Sequence, residues 1–363
     1  MFKNRGQEAA AGSLTQGSDN PRMNASVSLS AALSLSLACA AASAQERPDC
    51  RSLADDAARL ACWDAQSSTP PVVSAPRADT APKLQPGNLT GALDATWELT
   101  PEHKRGTFVV RTYQPTYVLP AVYTNHINNR PHSPTQPVPS NPSDGKHVES
   151  QFQVSLRVKV LENFGLPNAD LWFAYTQQSL WQVWNPADSA PFRSTDYQPE
   201  AFYIVPVPAA WTYLPGGWRW HAVQVGVAHQ SNGQRDPLSR SWNRTTFGTL
   251  LSRGDLGLSL KYNQRWRESY SDDDNPDLLD YTGQFEATAS WLRGYTASSL
   301  TWKGTTRDGS RGSLQLDISH PINHHQPDGL RWFVQVFTGY GASLLDYNVR
   351  QTRLGLGVLL FQL

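Results

Sequence analysis

Four stretches of the chain alternate apolar and polar residues with a period of two. Phe152, Val154, Leu156, Val158 and Val160 interleave with Gln153, Ser155, Arg157 and Lys159. Leu256, Leu258, Leu260, Tyr262 and Trp266 interleave with Ser259, Lys261, Asn263 and Arg265. The same holds for Leu314, Leu316 and Ile318, and for Leu354, Leu356, Val358 and Leu360 near the C-terminus. Successive side chains of a strand point to opposite faces, so each stretch predicts a strand with one apolar and one polar face. Soluble sandwiches show the same pattern, and three further features favour a membrane barrel. Several stretches run to about ten residues, the length a tilted membrane strand needs, against about 5–6 in ordinary sheets. Aromatic residues (Trp218, Trp220, Trp266, Tyr340, Tyr347) gather at strand ends, where a lipid–water girdle would sit. The last stripe runs to the C-terminus, as in many outer-membrane barrels. From residue 105 to 363 the pattern therefore predicts an all-β, antiparallel transmembrane β-barrel, with a soluble sandwich as the alternative.

Upstream of this region the chain reads differently. Arg22 precedes a short apolar run, Ala31 to Ala42, and Ala42-Ser43-Ala44 supplies small residues before Gln45. That is the pattern of a cleavable signal peptide over residues 1–44, and the run is too short to span a bilayer. The long preamble points to Met23 as the true start. Lipidation at Cys39 is the weaker reading, because Ser36-Leu37-Ala38 lacks the usual leading Leu. Cys50 and Cys62 then remain in "CRSLADDAARLACWD". In an exported chain they predict a disulfide stapling a short helical, periplasmic segment over 45–66. A redox or metal pair is the alternative, and it lacks close spacing and further His or Cys ligands. Residues 67–104 begin with a Pro-, Ser- and Ala-rich stretch without a period and read as a linker.

Composition narrows the partners. The 363 residues carry 31 basic and 31 acidic side chains, which removes the main argument for a nucleic-acid partner. No mature segment approaches the roughly 20 apolar residues of a spanning helix. Thirteen Trp, thirteen Tyr and twelve Phe are many for a chain with only 39% apolar residues, and this suits a β-rich protein.

The segment "HAVQVGVAHQSNGQRDPLSRSWNRTTFGTL", residues 221–250, carries candidate chemistry. Val223, Val225 and Val227 form an apolar stripe whose parity continues into His229 and Ser231. An imidazole and a hydroxyl would then point toward lipid near a strand end, about 6.6–6.8 Å apart at Cα. Polar groups on such a face are costly unless they serve a purpose. A His beside a Ser is the minimum apparatus for nucleophilic catalysis. Beyond the Asn232-Gly233 turn the chain returns through Asp236 and Ser239, and Asn243 falls within reach of His229 if the two strands pair. By spacing alone, the pair could equally end a strand at a wet rim.

This segment resembles the active-site region of the outer-membrane phospholipase A family, whose pattern runs His-x-Ser-Asn-Gly, Asp-Pro, then Ser-Arg-Ser-Trp-Asn. The resemblance extends to "SLWQVWNPADSAPFRSTDYQPE", to "DDNPD" at Asp273–Asp277 and to "FTGYGASLLDYNVRQTRLGLGVLL", so it covers nearly all of 105–363. It implies a barrel of about twelve strands in the outer membrane of a Gram-negative bacterium. The implied activity is calcium-dependent hydrolysis of acyl esters in phospholipids and lysophospholipids, phospholipase A1 and A2, at the outer leaflet. Ser231 would be the nucleophile, His229 the general base and acid, and Asn243 the residue that orients the imidazole.

The same resemblance implies one calcium ion per monomer, bound by Ser239, Asp274 and the Gln234 backbone carbonyl. Asp236 lies close enough to stand behind the metal or to take an alternative position on it. It further implies activation by homodimerisation, with Ser189 of the partner completing the calcium site. Gln177 has independent support as an interface residue. It shares the stripe of Leu171, Phe173 and Tyr175, and an unpaired amide there would be satisfied by a facing Gln across a two-fold axis; a Gln near enough to the rim to be wet is the alternative. A porin or adhesin barrel without catalysis, and a soluble lipase or lectin sandwich, are the rival functions.

Overall fold

The computed structural model describes residues 50–52, 54–67, 89–305 and 309–361. The expected signal peptide, Met23, Cys39 and most of the early linker lie outside the described residues. The chain divides into two units, Met1–Val72 and Val73–Leu363. In the first, helix α1 (Asp56–Ser67) begins where the Asp55 carboxylate accepts the Ala58 N–H. A disulfide joins Cys50 to Cys62, with their Cα atoms 5.6 Å apart.

The second unit is a closed antiparallel barrel. Its strands are β1 (Thr116–Thr124), β2 (Val148–Leu161), β3 (Asp170–Trp181), β4 (Ser194–Pro206), β5 (Trp218–Ser231) and β6 (Ser241–Arg253). They continue as β7 (Leu256–Arg265), β8 (Phe285–Arg293), β9 (Thr296–Gly304), β10 (Ser313–Pro321), β11 (Arg331–Gly339) and β12 (Gln351–Phe361). Each strand pairs with the next, and β12 returns to β1 through Leu354↔Tyr123 and Leu356↔Ala121. Two short strands, Val110–Thr112 and Tyr213–Leu214, add to β2 and β5. Closure removes every unpaired edge among the twelve, which a sheet in hydrocarbon requires.

The barrel is apolar outside and polar inside. On β2, Val154 and Leu156 are exposed while Ser155, Arg157 and Lys159 are buried. The interior is lined by Gln151, Gln153, Gln178, Gln198, Gln224 and Gln230 around a cavity of about 450 Å³. Exposed large apolar or aromatic side chains stand on all twelve strands, an exterior far larger than the patches soluble monomers tolerate. The soluble sandwich is therefore excluded, since its apolar face would be inside.

The two mouths differ. Turns at Gly254-Asp255 and Gly294-Tyr295 close one mouth tightly, whereas loops 125–147, 182–193, 232–240, 266–284 and 340–350 crowd the other. Short turns face the periplasm and long loops the exterior in barrels of this kind.

Two sequence expectations need correction. The linker does not extend to residue 104, because Leu89–Trp97 forms helix α2 at the short-turn mouth. Its Asp94 meets Arg219 and His221, and Thr90 meets Ser252. Leu99 joins Trp172, Phe202 and Ile204 in an interior cluster, and Glu98 is buried against Arg105, Arg111 and Lys159. The barrel unit is thus sealed by residues that a flexible linker would leave in solvent. Nor is Tyr347 a girdle residue. It is fully buried among Trp242, Leu278 and Leu344, and its hydroxyl donates to Asp277. A Tyr with a buried partner for its hydroxyl has no need of the lipid–water boundary.

Candidate active site

Strand β5 carries the candidate pair. Val223, Val225 and Val227 lie on its outer face, and the parity brings His229 and Ser231 out on the same side, at the long-loop mouth. His229 is exposed and Ser231 half-buried. The neighbouring strand β6 sets Asn243 directly opposite His229, and Ser241 opposite Ser231. The His229 Nδ1–H donates to Asn243 Oδ1 across 2.8 Å, which leaves Nε2 with a free lone pair. Ser231 Oγ accepts from the Gly233 N–H at 3.1 Å and makes no hydrogen bond to His229. Catalytic hydrogen bonds often close only around a substrate, so the unbonded Ser–His pair is compatible with chemistry.

The turn between β5 and β6 is shaped by Asn232. Its buried side chain accepts from Arg240 N and Gln234 N and donates to Leu238 O. Gly233 follows with φ of +62°, and a Cβ there would stand 3.0 Å from the Tyr197 ring. The left-handed φ and this tight approach favour glycine, and the turn sets the Gly233 N–H on Ser231 Oγ. That backbone donor was not apparent as a functional group before the fold was known.

The candidate calcium ligands fall into two groups. Ser239 Oγ and Asp274 Oδ2 are 2.5 Å apart, and Gln136 Nε2 donates at 3.0 Å to both Asp274 Oδ1 and Asp236 Oδ1. Gln136 was missed from the sequence because it arrives from loop 125–147, far along the chain. The acidic loop is held rigidly from behind. Asn275 accepts from Ser241 N, Asp273 pairs with Arg265, and Ser133 and Thr135 donate to the carbonyls of Asp274 and Asp273. Arg240 is buried beneath these carboxylates. Burial lowers its pKa from the ordinary guanidinium value, against the opposing pull of Tyr347, Asp274, Asp277 and Asp236.

Gln234 sits on the same loop. Its Nε2 donates to Arg193 O, and its Oε1 is buried without a partner among the described residues. The donor set at Ser239, Asp274, Asp236 and Gln234 is all oxygen, which suits a hard cation. No group of three or more His, Cys, Asp or Glu suited to a metal occurs among the described residues, so any metal here leans on hydroxyl and carbonyl oxygens. Ser189 lies apart, half-buried in loop 182–193, where its carbonyl accepts from Trp181 Nε1.

Gln177 corrects an expectation. It lies on the outer face of β3, but its amide is not unpaired. Tyr175 donates its hydroxyl to Gln177 Oε1 at 3.0 Å, and Gln177 Nε2 donates to Ser179 Oγ at 3.3 Å. The same strand satisfies much of the amide, which weakens the need for a facing copy.

A closed barrel with an apolar exterior is the architecture of an outer-membrane protein, and an outward His–Asn pair stands beside a serine on its wall. The phospholipase A1 family model matches residues 93–360. A phospholipase A1 of Escherichia coli is 37% identical over 212 residues, covering 58% of this chain and 69% of the relative. The solved outer membrane phospholipase A of Escherichia coli superposes with a TM-score of 0.60 at 30% identity, covering 69% of this chain and 94% of that one. The Salmonella typhi outer membrane phospholipase, solved as a dimer with bound calcium, gives 0.61 at 29% identity, covering 72% and 94%. This chain belongs to the phospholipase A1 family, a family of ester hydrolases.

Proposed function

We propose that this barrel hydrolyses acyl ester bonds of phospholipids and lysophospholipids from the lipid side, at the outer leaflet of a Gram-negative outer membrane. One observation carries the reading. His229, tied by Nδ1 to Asn243, continues the outer stripe of Val223, Val225 and Val227 and stands two residues from Ser231. A lipid ester reaches such a site by lateral diffusion, whereas the glutamine-lined interior offers nothing to an acyl chain.

In this reading His229 Nε2 takes the Ser231 hydroxyl proton as Oγ bonds to the acyl carbonyl carbon. The carbonyl π electrons move onto oxygen, and the Gly233 N–H, which borders Ser231 Oγ, is a backbone donor at hand to meet that negative charge. Collapse of the intermediate breaks the ester C–O bond, and His229 hands its proton to the departing glycerol oxygen. Water then repeats the sequence on the acyl-serine, with His229 again as base, and releases the fatty acid. Asn243 holds the ring in one tautomer throughout.

Calcium fits the oxygens around the 232–240 loop. Ser239, Asp274 and the Gln234 carbonyl would hold it, with Asp236 beside them and Ser189 contributed by a second copy in a homodimer. When bound, the cation supplies positive charge toward the oxyanion. Gln177 would lie in the contact between copies.

The test is calcium-dependent release of fatty acid from mixed micelles by wild type and Ser231→Ala. The reading expects turnover in wild type, loss with EDTA and loss in the variant. A folded barrel with no turnover under any calcium concentration would favour a non-catalytic porin or adhesin.

A further inference from the structure

Asn243 has a second partner. While its Oδ1 accepts from His229, its Nδ2 donates to Glu268 Oε1 at 3.1 Å. Glu268 lies just beyond β7, where the chain still runs beside β6 because the Trp266 N–H donates to Asn243 O. Its parity follows Leu256, Leu260 and Trp266, all exposed on the outer face, so the carboxylate emerges on the same side as the imidazole. Imidazole, amide and carboxylate thus form one line across three neighbouring chain segments.

The chemistry of that line is directional. An asparagine amide has an oxygen end and a nitrogen end of nearly equal size, and nothing in its shape decides which end meets a histidine. A carboxylate offers only acceptors, so the amide can meet Glu268 only with its NH₂. Its oxygen must then face His229, and the imidazole must offer Nδ1–H and leave Nε2 basic. Were the amide reversed, two oxygens would oppose each other at Glu268 and two donors could face each other at His229. Glu268 also carries the negative charge that a neutral Asn lacks, one residue removed from the ring that becomes cationic during turnover. It is half-buried and makes no other hydrogen bond among the described residues.

We infer that Glu268 is a positioning residue for the hydrolytic reaction: it fixes the orientation of the Asn243 amide and, through it, the tautomer of His229. The inference rests on the Ser231–His229–Asn243 reading above and deepens it. It also turns the absence of an acid next to His229 into a relay in which the acid stands one step back.

The experiment uses the full chain in detergent micelles with calcium, and heat-dependent gel mobility checks that each variant is a folded barrel. Glu268→Ala should lower kcat about tenfold, the scale of one charge-assisted orienting bond, and leave KM within about twofold. In an Asn243→Ala background the same change should do nothing further, because Glu268 acts only through that amide. Asn243→Asp should be poor, since two carboxylates then face each other, and adding Glu268→Gln should restore at least tenfold by exchanging the acid and amide along the line. Wild-type kcat in Glu268→Ala would overturn the inference. So would an equal loss with and without the Asn243 amide, or no recovery in the exchanged double variant. Ser231→Ala is measured beside them: if it remains active the hydrolytic reading itself falls, whereas an inactive Ser231→Ala with a fully active Glu268→Ala removes Glu268 alone.

Discussion

Strand β5 carries one histidine at each mouth of the barrel, and their bonding is the reverse of what the proposed roles would suggest. Inside the short-turn mouth, the His221 Nδ1–H donates to Asp94 Oδ1 at 2.7 Å, and Nε2 meets Ser252 Oγ at 2.7 Å. This is the complete bonding of an Asp-His-Ser triad. Yet Ser252 is 0% exposed, and its hydroxyl is also held by Thr90 from α2 at 2.8 Å. At the outer face, His229 has only its Asn243 bond, and Ser231 is bonded to a backbone amide. Complete satisfaction marks a lock that seals α2 into the barrel. In the proposed function, partial satisfaction beside an open apolar surface is bonding capacity left for a substrate. The proposed function places the chemistry at His229 on grounds of access, whereas the bonding pattern alone would choose His221.

The sharpest way to break this comparison is to remove each serine. Ser231→Ala should lower fatty-acid release by at least about a thousandfold, while Ser252→Ala leaves turnover per folded molecule within about twofold. Loss in the Ser252 variant with the fold intact would give the interior cluster a catalytic role. Asp274→Ala comes next. It should raise the calcium concentration needed for half-maximal activity by tenfold or more, read by titrating calcium against hydrolysis, because it deletes the one carboxylate bonded to Ser239.

Asn243→Ala should be milder than Ser231→Ala, a fall of roughly ten- to a hundredfold in kcat, since it removes orientation and no reacting group. The histidines themselves should separate by kind of damage. His221→Ala removes one bond each from Asp94, which keeps Arg219, and from Ser252, which keeps Thr90, an expected loss of about 1–3 kcal/mol in barrel stability measured by urea unfolding in detergent. His229→Ala should abolish turnover and leave that unfolding curve unmoved.

The smallest effect concerns pH at the long-loop mouth. Burial raises the pKa of the Asp346 carboxyl, but Arg193 bonds both its oxygens and outweighs burial, so it lies below the ordinary value of about 3.8. A group lowered on folding stabilises the fold above its unfolded value and loses that contribution as pH falls through the folded one. Proteolytic protection of residues 340–350 should therefore hold at pH 5 and fade only below about 4. Loss of protection already at pH 6 would assign the order of that loop to other groups.

Much of this was legible before folding. The lipid face follows from alternation, and the outward placement of His229 and Ser231 from counting on from Val227. What escaped the sequence arrives from elsewhere in the chain. Gln136 bridges Asp236 and Asp274 across separations of 100 and 138 residues, and no local period announces it. Helix α2 was hidden because its nine residues follow a Pro-rich stretch and owe their order to Asp94, Thr90 and the barrel wall. Glu268 could have been reached by extending the Leu256–Trp266 parity by one more step. Tyr347 misled because an aromatic beside a strand end suits a girdle and a packed loop equally well.

The most direct test of the central claim is covalent. The purified barrel, with calcium in micelles, is treated with a sulfonyl fluoride, and the modified residue is located by mass spectrometry as hydrolysis is followed. The account predicts that sulfonylation falls on Ser231 in proportion to lost turnover and spares Ser252. Full inactivation with Ser231 unmodified, or modification at Ser252, would contradict it.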